Sequence, residues 1–173
     1  SKMIKIKEII IGTNNQGKYK EICDLLPSEI RKYSPQDFKI SSPEETGKTF
    51  SSNSKLKANF FSKYVNYPVI SDDSGLCIKA LNNNPGIYSA RLAKRHGSFL
   101  KAMKNILKRL KNKKNRSAFF ICCLSLKFPK KKTFTVTGKV YGKISTKVLG
   151  KNGFGYDPIF IPKNNNKTFG QIS

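Results

Sequence analysis

Two adjacent acids in the middle of an apolar segment constrain the fold of this chain more than any other feature. Residues 68–71 have the character of a strand, Asp72-Asp73-Ser74-Gly75 follows, and residues 76–80 continue the apolar pattern. Because an unpaired carboxylate is costly to bury, a strand that carries both acids needs a cation beside it. Alternatively, the acids cap a turn at Ser74-Gly75. The segment therefore predicts either a charged strand next to cations or a capped turn.

The chain before this segment is predicted to begin as strand, loop and helix. Residues 4–11 are β-branched and apolar enough for a buried strand, and they run directly into the polar loop of residues 12–18. Ile22, Leu25 and Leu26 mark one face of a helix that ends at Pro27.

A second helix is predicted over residues 49–65. Asn53 and Lys57 lie four positions apart, so they share a face of this helix. Its buried side is expected to consist of apolar side chains, namely Phe50, Leu56, Phe60, Phe61 and Tyr64.

The second half of the chain predicts a turn, a basic helix and a hairpin. The Asn, Pro and Gly residues of 81–86 indicate a turn. Residues 98–111 form a basic helix, and residues 117–128 and 133–140 form a long hairpin joined through 129–132. The inward side chains of the helix are expected to be Leu100, Met103, Ile106, Leu107 and Leu110. Alternating elements followed by a hairpin favour an α/β fold with a mixed sheet and flanking helices, in a single domain over residues 1–173.

The positive charge is extreme but does not by itself indicate a nucleic-acid partner. The formal net charge is +24, from 34 Lys and Arg against 10 Asp and Glu. Many of the lysines lie in Asn- and Lys-rich stretches, such as 101–114, 130–132 and 163–167, which are typical of a solvated surface. No specific nucleic-acid partner is predicted.

Cysteine spacing and hydropathy predict a soluble, cytoplasmic protein. The four cysteines show neither CxxC nor Cys/His ligand spacing, which favours a reducing compartment. No apolar run is long enough to cross a bilayer, so no membrane partner is predicted.

Half of the ten acids fall in three short segments that contain glycine: Glu44, Glu45, Asp72, Asp73 and Asp157. Hard oxygen ligands gathered from separate loops are what Mg²⁺ binds, usually with one or two carboxylates and the rest from water and phosphate. In the first loop, Gly12 and Gly17 allow close backbone approach and Lys18 stands at a helix start, where amides favour anions. The loop is not a P-loop, because the GKS/T ending is absent, and an ordinary helix cap is the alternative.

Two aromatic residues between glycines complete the set of candidate residues. Phe154 and Tyr156 are suited either to the core or to stacking on a base. Carboxylates, lysines and an aromatic platform together are the residues needed to bind a metal-nucleotide complex.

Seven motifs follow one another along the chain: Thr13-Asn14-Asn15-Gln16-Gly17-Lys18, Glu45-Thr46-Gly47, Phe50 with Asn53, Leu56-Lys57-Ala58, Asp72-Asp73-Ser74-Gly75-Leu76, Pro85-Gly86-Ile87-Tyr88-Ser89-Ala90-Arg91 and Gly153-Phe154-Gly155-Tyr156-Asp157-Pro158. In this order they resemble the inosine triphosphate pyrophosphatase family, which hydrolyses non-canonical purine nucleoside triphosphates (ITP, dITP and XTP) to the monophosphate and pyrophosphate. The resemblance spans nearly the whole chain. It implies a long mixed, curved sheet, two lobes with the nucleotide cleft between them, and a homodimer.

The resemblance also implies roles for individual residues. Glu45 and Asp73 would bind Mg²⁺, and Asp73 would help to activate the attacking water. The substrate would be bound by Thr13, Asn14, Asn15, Gln16, Gly17, Lys18, Asn53, Lys57, Ser74, Phe154, Gly155, Tyr156 and Asp157, with the first loop and Lys57 on the triphosphate and the last four residues on the purine.

The chain departs from the family pattern at its end. Family members continue past residues 167–169 into a helix and a Ser-His-Arg segment that contacts the base, so a C-terminal segment is expected to be missing; Gln171 stands where an acid is common. The alternatives are a Maf-type nucleotide pyrophosphatase, and a basic nucleic-acid-binding protein without activity. The complete motifs at residues 89–91 and 154–157 disfavour the first, and the absence of interleaved aromatic and basic motifs disfavours the second.

Overall fold

The computed structural model describes residues 5–173, and these residues form seven strands and four α-helices. The predicted first residue of the first strand, Ile4, lies outside the described residues. The strands are β1 (Glu8–Ile11), β2 (Arg31–Tyr33), β3 (Val69–Ile78), β4 (Asn84–Pro85), β5 (Ser117–Lys127), β6 (Thr133–Ile144) and β7 (Phe160–Pro162). The helices are α1 (Gln16–Leu25), α2 (Phe50–Ser62), α3 (Ser89–His96) and α4 (Phe99–Arg109).

The strands form one mixed sheet in the order β2-β1-β3-β5-β6-β7, with β4 paired to β3. Strand β1 pairs in parallel with both β2 and β3, whereas β7 pairs with β6 in antiparallel. Ile11 of β1 lies opposite Ile70 of β3, so the loop that follows β1 begins beside the segment of β3 that carries Asp72 and Asp73. The predicted mixed sheet with flanking helices is confirmed.

Local capping bonds explain where three of the helices begin. The Asn15 side chain accepts a hydrogen bond from the Lys18 amide and starts α1. Thr49 and Ser52 cap α2 reciprocally, and Ser98 accepts from the Lys101 amide at the start of α4. Among residues 5–173, no helix is long and apolar enough to span a membrane.

The chain divides into two compact units, each with its own apolar core. One unit contains the chain up to Asp73 together with Cys123–Thr137, and its core consists of Ile10, Ile40, Phe61 and Val69. The other contains Ser74–Cys122 and Gly138–Ser173. Its larger core includes Leu76, Ile78, Ile106, Leu110, Ile144, Ile159 and Phe160. Two units agree with the two lobes expected from the resemblance, whereas the single-domain organisation stays a prediction.

Several details differ from the sequence-based expectations. Asp72 and Asp73 lie inside β3, not at a turn, because the strand continues unbroken through Ser74 and Gly75. Tyr64 and Leu100 were expected to face inward and are exposed, and Leu25, on the apolar face of α1, is exposed as well. The buried residues of α2 are Asn53, Ser54, Lys57, Ala58 and Phe61, so its inner face is largely polar.

Candidate active site

The loop between β1 and α1 is held by its own hydrogen bonds and by contacts with β3. The Gly12 amide donates to the Ile70 carbonyl at 2.7 Å, and a side chain at this position would collide with Ser71 and Phe61. Thr13 Oγ1 accepts from the Asn15 amide at 3.1 Å, and Asn15 Oδ1 accepts from the Lys18 amide at 3.0 Å. This chain of bonds fixes the start of α1 and, with it, the position of Lys18.

Asp72 forms an ion pair with a lysine in the first turn of α1. Lys18 Nζ lies 3.6 Å from Asp72 Oδ2, and the Asp72 side chain is nearly inaccessible to solvent. Lys18 Nζ also lies 3.8 Å from Glu21 on the next turn of α1. Of the two alternatives for this segment, the structure therefore selects the charged strand beside a cation.

The polar face of α2 supplies a second pair of charges. Lys57 Nζ lies 3.1 Å from Glu45 Oε1. Asn53, one turn earlier on the same face, accepts the Gly47 amide through Oδ1 at 2.8 Å. Because Gly47 lies two residues after Glu45, this bond ties the segment that carries Glu45 to α2. A Cβ at Gly47 would collide with the side chains of Ser52 and Asn53, which explains the absence of a side chain there.

Asp73 lies in the electrostatic field of both charges. Burial raises the pKa of Asp73 from its ordinary value of 3.8 to about 7, and the Glu45 carboxylate contributes further to this rise. Lys57 and the Asn53 amide oppose the shift, and Asp72 adds to it. Removing Asp73 from water and placing a second acid beside it therefore outweighs the nearby ammonium group.

Two buried polar atoms at this point have no hydrogen-bond partner within the described part of the chain, namely Asp73 Oδ2 and Asn53 Nδ2. The Asn53 amide is close enough to lower the pKa of Asp73, although Asn53 Nδ2 and Asp73 Oδ2 do not reach hydrogen-bond geometry. A buried carboxylate oxygen without a donor is costly, and a cation satisfies it.

The donor set therefore fits a hard cation. Residues 5–173 contain no cluster of three or more His, Cys, Asp or Glu side chains that could hold a metal ion. The site does contain two carboxylates, those of Glu45 and Asp73, whose charges interact. One or two protein carboxylates are what Mg²⁺ takes when water and substrate phosphate supply its other ligands.

The remaining predicted residues belong to the other unit. Ser74 is half-buried on β3. In the loop of residues 153–157, the Phe154 amide donates to Asp157 Oδ2 at 3.1 Å, and Gly153 and Gly155 adopt positive φ angles of 70° and 65°. Phe154 is half-buried, whereas Tyr156 is only 4% exposed.

The structure thus brings together Lys18, Glu45, Asn53, Lys57 and Asp73 within one unit, as contacts around Asp72 and Asp73. Gln16 and Gly17 follow in the first turn of α1, and Asn14 Nδ2 donates to Ser42 Oγ at 2.6 Å. The sequence predicts a cation beside Asp72 and Asp73, and Lys18 meets this expectation for Asp72. The sequence did not predict which lysine pairs with Asp72, and it assigned Asp72 no role in binding substrate or metal.

Comparison with known proteins gives a consistent result. The model of the Ham1 family matches residues 9–173. The dITP/XTP pyrophosphatase of Bacillus licheniformis is 41% identical over 174 residues, which cover 97% of this chain and 88% of that protein. The dITP/XTP pyrophosphatase of Staphylococcus aureus strain MW2 is 42% identical over 172 residues, which cover 97% of this chain and 86% of that protein.

Solved structures of the same family share the fold. The structure of the Staphylococcus aureus Ham1 protein superposes with a TM-score of 0.84 at 40% identity, covering 96% of this chain and 87% of that one. A HAM1 protein from Coxiella burnetii gives a TM-score of 0.87 at 34% identity, covering 97% of this chain and 88% of that one.

Proposed function

The chain belongs to the Ham1 family, and on this premise we infer that it hydrolyses non-canonical purine nucleoside triphosphates such as dITP and XTP to the monophosphate and pyrophosphate. The observation that carries this inference is the charged cluster around β3. It combines two lysines with three carboxylates, one of which has an unsatisfied buried oxygen. The family match favours this activity over that of a Maf-type pyrophosphatase.

We propose that Asp73 and Glu45 hold the metal ion and that the ion is Mg²⁺. When bound, Mg²⁺ supplies positive charge to the phosphate oxygens. Glu45 is already oriented by Lys57 at 3.1 Å, and Asp73 Oδ2 has a free coordination position.

Asp73 is also proposed to accept the proton of the attacking water. A general base works best when its pKa lies near the working pH, and burial raises the pKa of Asp73 to about 7. This pKa belongs to the metal-free site, and a bound cation would lower it and keep the carboxylate in the ionised form that accepts a proton.

Lys18 and Lys57 are proposed to bind the triphosphate. Each ammonium group has three donors, so each can keep its carboxylate partner and still donate to a phosphate oxygen. The amides at the start of α1, over Asn15, Gln16 and Gly17, add the partial positive charge of a helix N-terminus. Thr13 and Asn14 complete this loop, and Asn53 supports the Glu45 segment.

The base end is proposed to lie on Ser74 and on Phe154, Gly155, Tyr156 and Asp157. Phe154 offers an aromatic face, and the turn that carries it is closed by Asp157. We further propose that the chain works as a homodimer in the cytoplasm and as one domain over residues 1–173.

The test is a pyrophosphate-release assay with dITP, XTP, ATP and GTP, with Mg²⁺ and with a chelator. We expect rapid release from dITP and XTP, slow release from ATP and GTP, and none in the chelator. Asp24→Asn is a matched control for Asp73→Asn, because Asp24 is an exposed acid on α1 that pairs only with Lys20 among the ion pairs of residues 5–173. Absence of release from all four nucleotides in the wild-type chain would contradict the proposed activity.

A further inference from the structure

Ser89 is a buried hydroxyl residue that joins three segments of its unit. It is the first residue of α3 and is 4% exposed. Its Oγ donates to the Gly86 carbonyl at 2.7 Å and accepts the Leu76 amide of β3 at 2.9 Å. One side chain therefore satisfies a strand amide and a turn carbonyl that are both buried.

The backbone carbonyl of Ser89 accepts a hydrogen bond from Tyr156. The distance from the Tyr156 hydroxyl to the Ser89 carbonyl oxygen is 2.6 Å. Its ring packs edge-on against Phe99 of α4, with centroids 5.2 Å apart and planes at 89°. Burial raises the pKa of Tyr156, so the hydroxyl keeps its proton and remains a donor. Tyr156 is thus held at both its ring and its hydroxyl.

Tyr156 lies in a loop that contains two glycines with positive φ angles. Gly153 and Gly155 flank Phe154 in the left-handed region, where glycine has no preference to hold the backbone in one conformation. The turn is closed by the bond from the Phe154 amide to Asp157 Oδ2 and by the bond from the Asp157 amide to the Phe154 carbonyl. Tyr156, two residues from Phe154, ties this turn to α3 and α4.

On its other side, the Ser89 hydroxyl holds β3 close to Ser74. Leu76 and Ser74 are two residues apart on the strand, so they lie on the same face of the sheet. The bond to the Leu76 amide fixes the strand backbone two positions from the Ser74 side chain.

We propose that Ser89 and Tyr156 are positioning residues for the nucleobase, which set the spacing between Ser74 on β3 and Phe154 on the loop. Ser89 does not need to touch the substrate. Tyr156 belongs to the proposed base-binding loop, but its hydroxyl and ring are engaged by Ser89 and Phe99, so its effect on the base is through the position of that loop. This role rests on the proposed function, because Ser74 and Phe154 are its base-binding residues. It predicts that loss of the bond between Tyr156 and Ser89 weakens binding of ligands that carry a base and leaves binding of ligands that consist of phosphate alone unchanged.

The experiment compares Tyr156→Phe and Ser89→Ala with the control Tyr141→Phe, in which an exposed tyrosine of β6 loses the same hydroxyl. The measurements are KM and kcat for dITP, the inhibition constant of inorganic tripolyphosphate, and amide exchange at Leu76 and Phe154. We expect Tyr156→Phe to raise KM for dITP about tenfold, the effect of losing one buried hydrogen bond, with kcat within about threefold of wild type. The inhibition constant of tripolyphosphate and the Tyr141→Phe variant should match wild type.

Ser89→Ala should speed hydrogen exchange of the Leu76 amide, because this amide loses its acceptor. Ser89→Thr keeps the hydroxyl, so the Leu76 amide should exchange at the wild-type rate in that variant. Equal weakening of dITP binding and tripolyphosphate binding in Tyr156→Phe would overturn the proposal, as would a wild-type KM in that variant.

A wild-type chain that binds IMP in calorimetry but releases no pyrophosphate would contradict the proposed activity alone. The IMP affinity of Tyr156→Phe relative to Tyr141→Phe would then decide the positioning role. A chain that binds no IMP and releases no pyrophosphate would overturn both.

Discussion

Asp73 keeps a carboxylate in a place from which water is almost excluded and where Glu45 adds a second negative charge. Its pKa is raised from 3.8 to about 7. A group whose folded pKa lies above its unfolded value contributes stability that is complete below the unfolded pKa and is lost as pH rises through the folded pKa. Without a cation, this residue therefore lowers the stability of the folded chain most above pH 7.

Replacing Asp73 with Asn should separate activity from stability. Asp73→Asn removes a proposed metal ligand and base, so pyrophosphate release should fall at least about a thousandfold. The same change removes a buried charge, so the melting temperature without metal at pH 8 should rise by about 2 to 6 °C. The control Asp24→Asn should change neither quantity. Near wild-type release by Asp73→Asn would remove this residue from the site.

The pH dependence of metal binding follows from the same pKa. A cation binds the ionised carboxylate, so below about pH 7 it must displace a proton from Asp73. We expect the Mg²⁺ affinity to fall by about tenfold per pH unit below 7 and to level off above 8. Calorimetric titration at pH 6, 7 and 8 checks this. An affinity that is flat over the range would show that Asp73 is not a ligand.

The contribution of Lys18 and Lys57 to binding should increase with the number of phosphates on the ligand. Lys18→Ala and Lys57→Ala should each weaken a triphosphate by about 1.5 to 3 kcal/mol and a monophosphate far less, because their charge is directed at the phosphate chain. Lys20→Ala is the matched control, since its ammonium is exposed and pairs with Asp24. Binding of dITP and IMP by calorimetry distinguishes the cases, and equal losses for both ligands would contradict the assignment.

At the scale of elements, the sequence predicts what periodicity and caps encode. The β5–β6 hairpin, α2 and α4 lie close to their expected positions, because long apolar alternation and helical spacing are strong signals. Helix α3 was not predicted, since its eight residues begin without a side-chain cap. The signal that remained was its basic last turn before Gly97, which has a φ angle of 94°.

The inner face of α2 shows why the site was harder to predict than the fold. Apolar residues were expected to supply the buried side, yet Asn53, Ser54 and Lys57 are buried. Burial of such residues is favourable only with partners from distant segments, such as Glu45 for Lys57 and Ser125 for Ser54. Local sequence patterns do not contain that information, and only the motif resemblance indicated it.

The cap of α1 gives a test at this scale. Asn15 Oδ1 accepts the Lys18 amide, so Asn15→Ala should lower the free energy of unfolding by about 1 kcal/mol and should also displace Lys18 from Asp72. KM for dITP should therefore rise, whereas Asn15→Asp, which can still cap the helix, should retain the stability. Chemical denaturation and steady-state kinetics measure the two effects. An unchanged stability in Asn15→Ala would show that the cap contributes nothing.

For the whole molecule, the charge is a property of the surface and not of the site. Around α4, the side chains of Lys101, Lys104, Lys111, Lys113 and Lys114 are all exposed. This agrees with the expectation of a solvated surface. An excess of positive charge on the surface attracts any polyanion weakly and repels other copies of the chain.

The proposed homodimer should therefore depend on salt in an unusual direction. Each copy carries a formal charge of +24, so two copies repel one another at low ionic strength. Screening shortens the range of this repulsion from about 30 Å at 10 mM salt to about 8 Å at 150 mM. We expect the dimer dissociation constant, measured by analytical ultracentrifugation, to fall at least about fivefold between these sodium chloride concentrations.

Binding of a homopolymeric RNA serves as the internal control. It should weaken over the same range of salt, because release of cations from the RNA drives it. A dimer that weakens together with RNA binding would mean that opposite charges, and not apolar contacts, hold the two copies together.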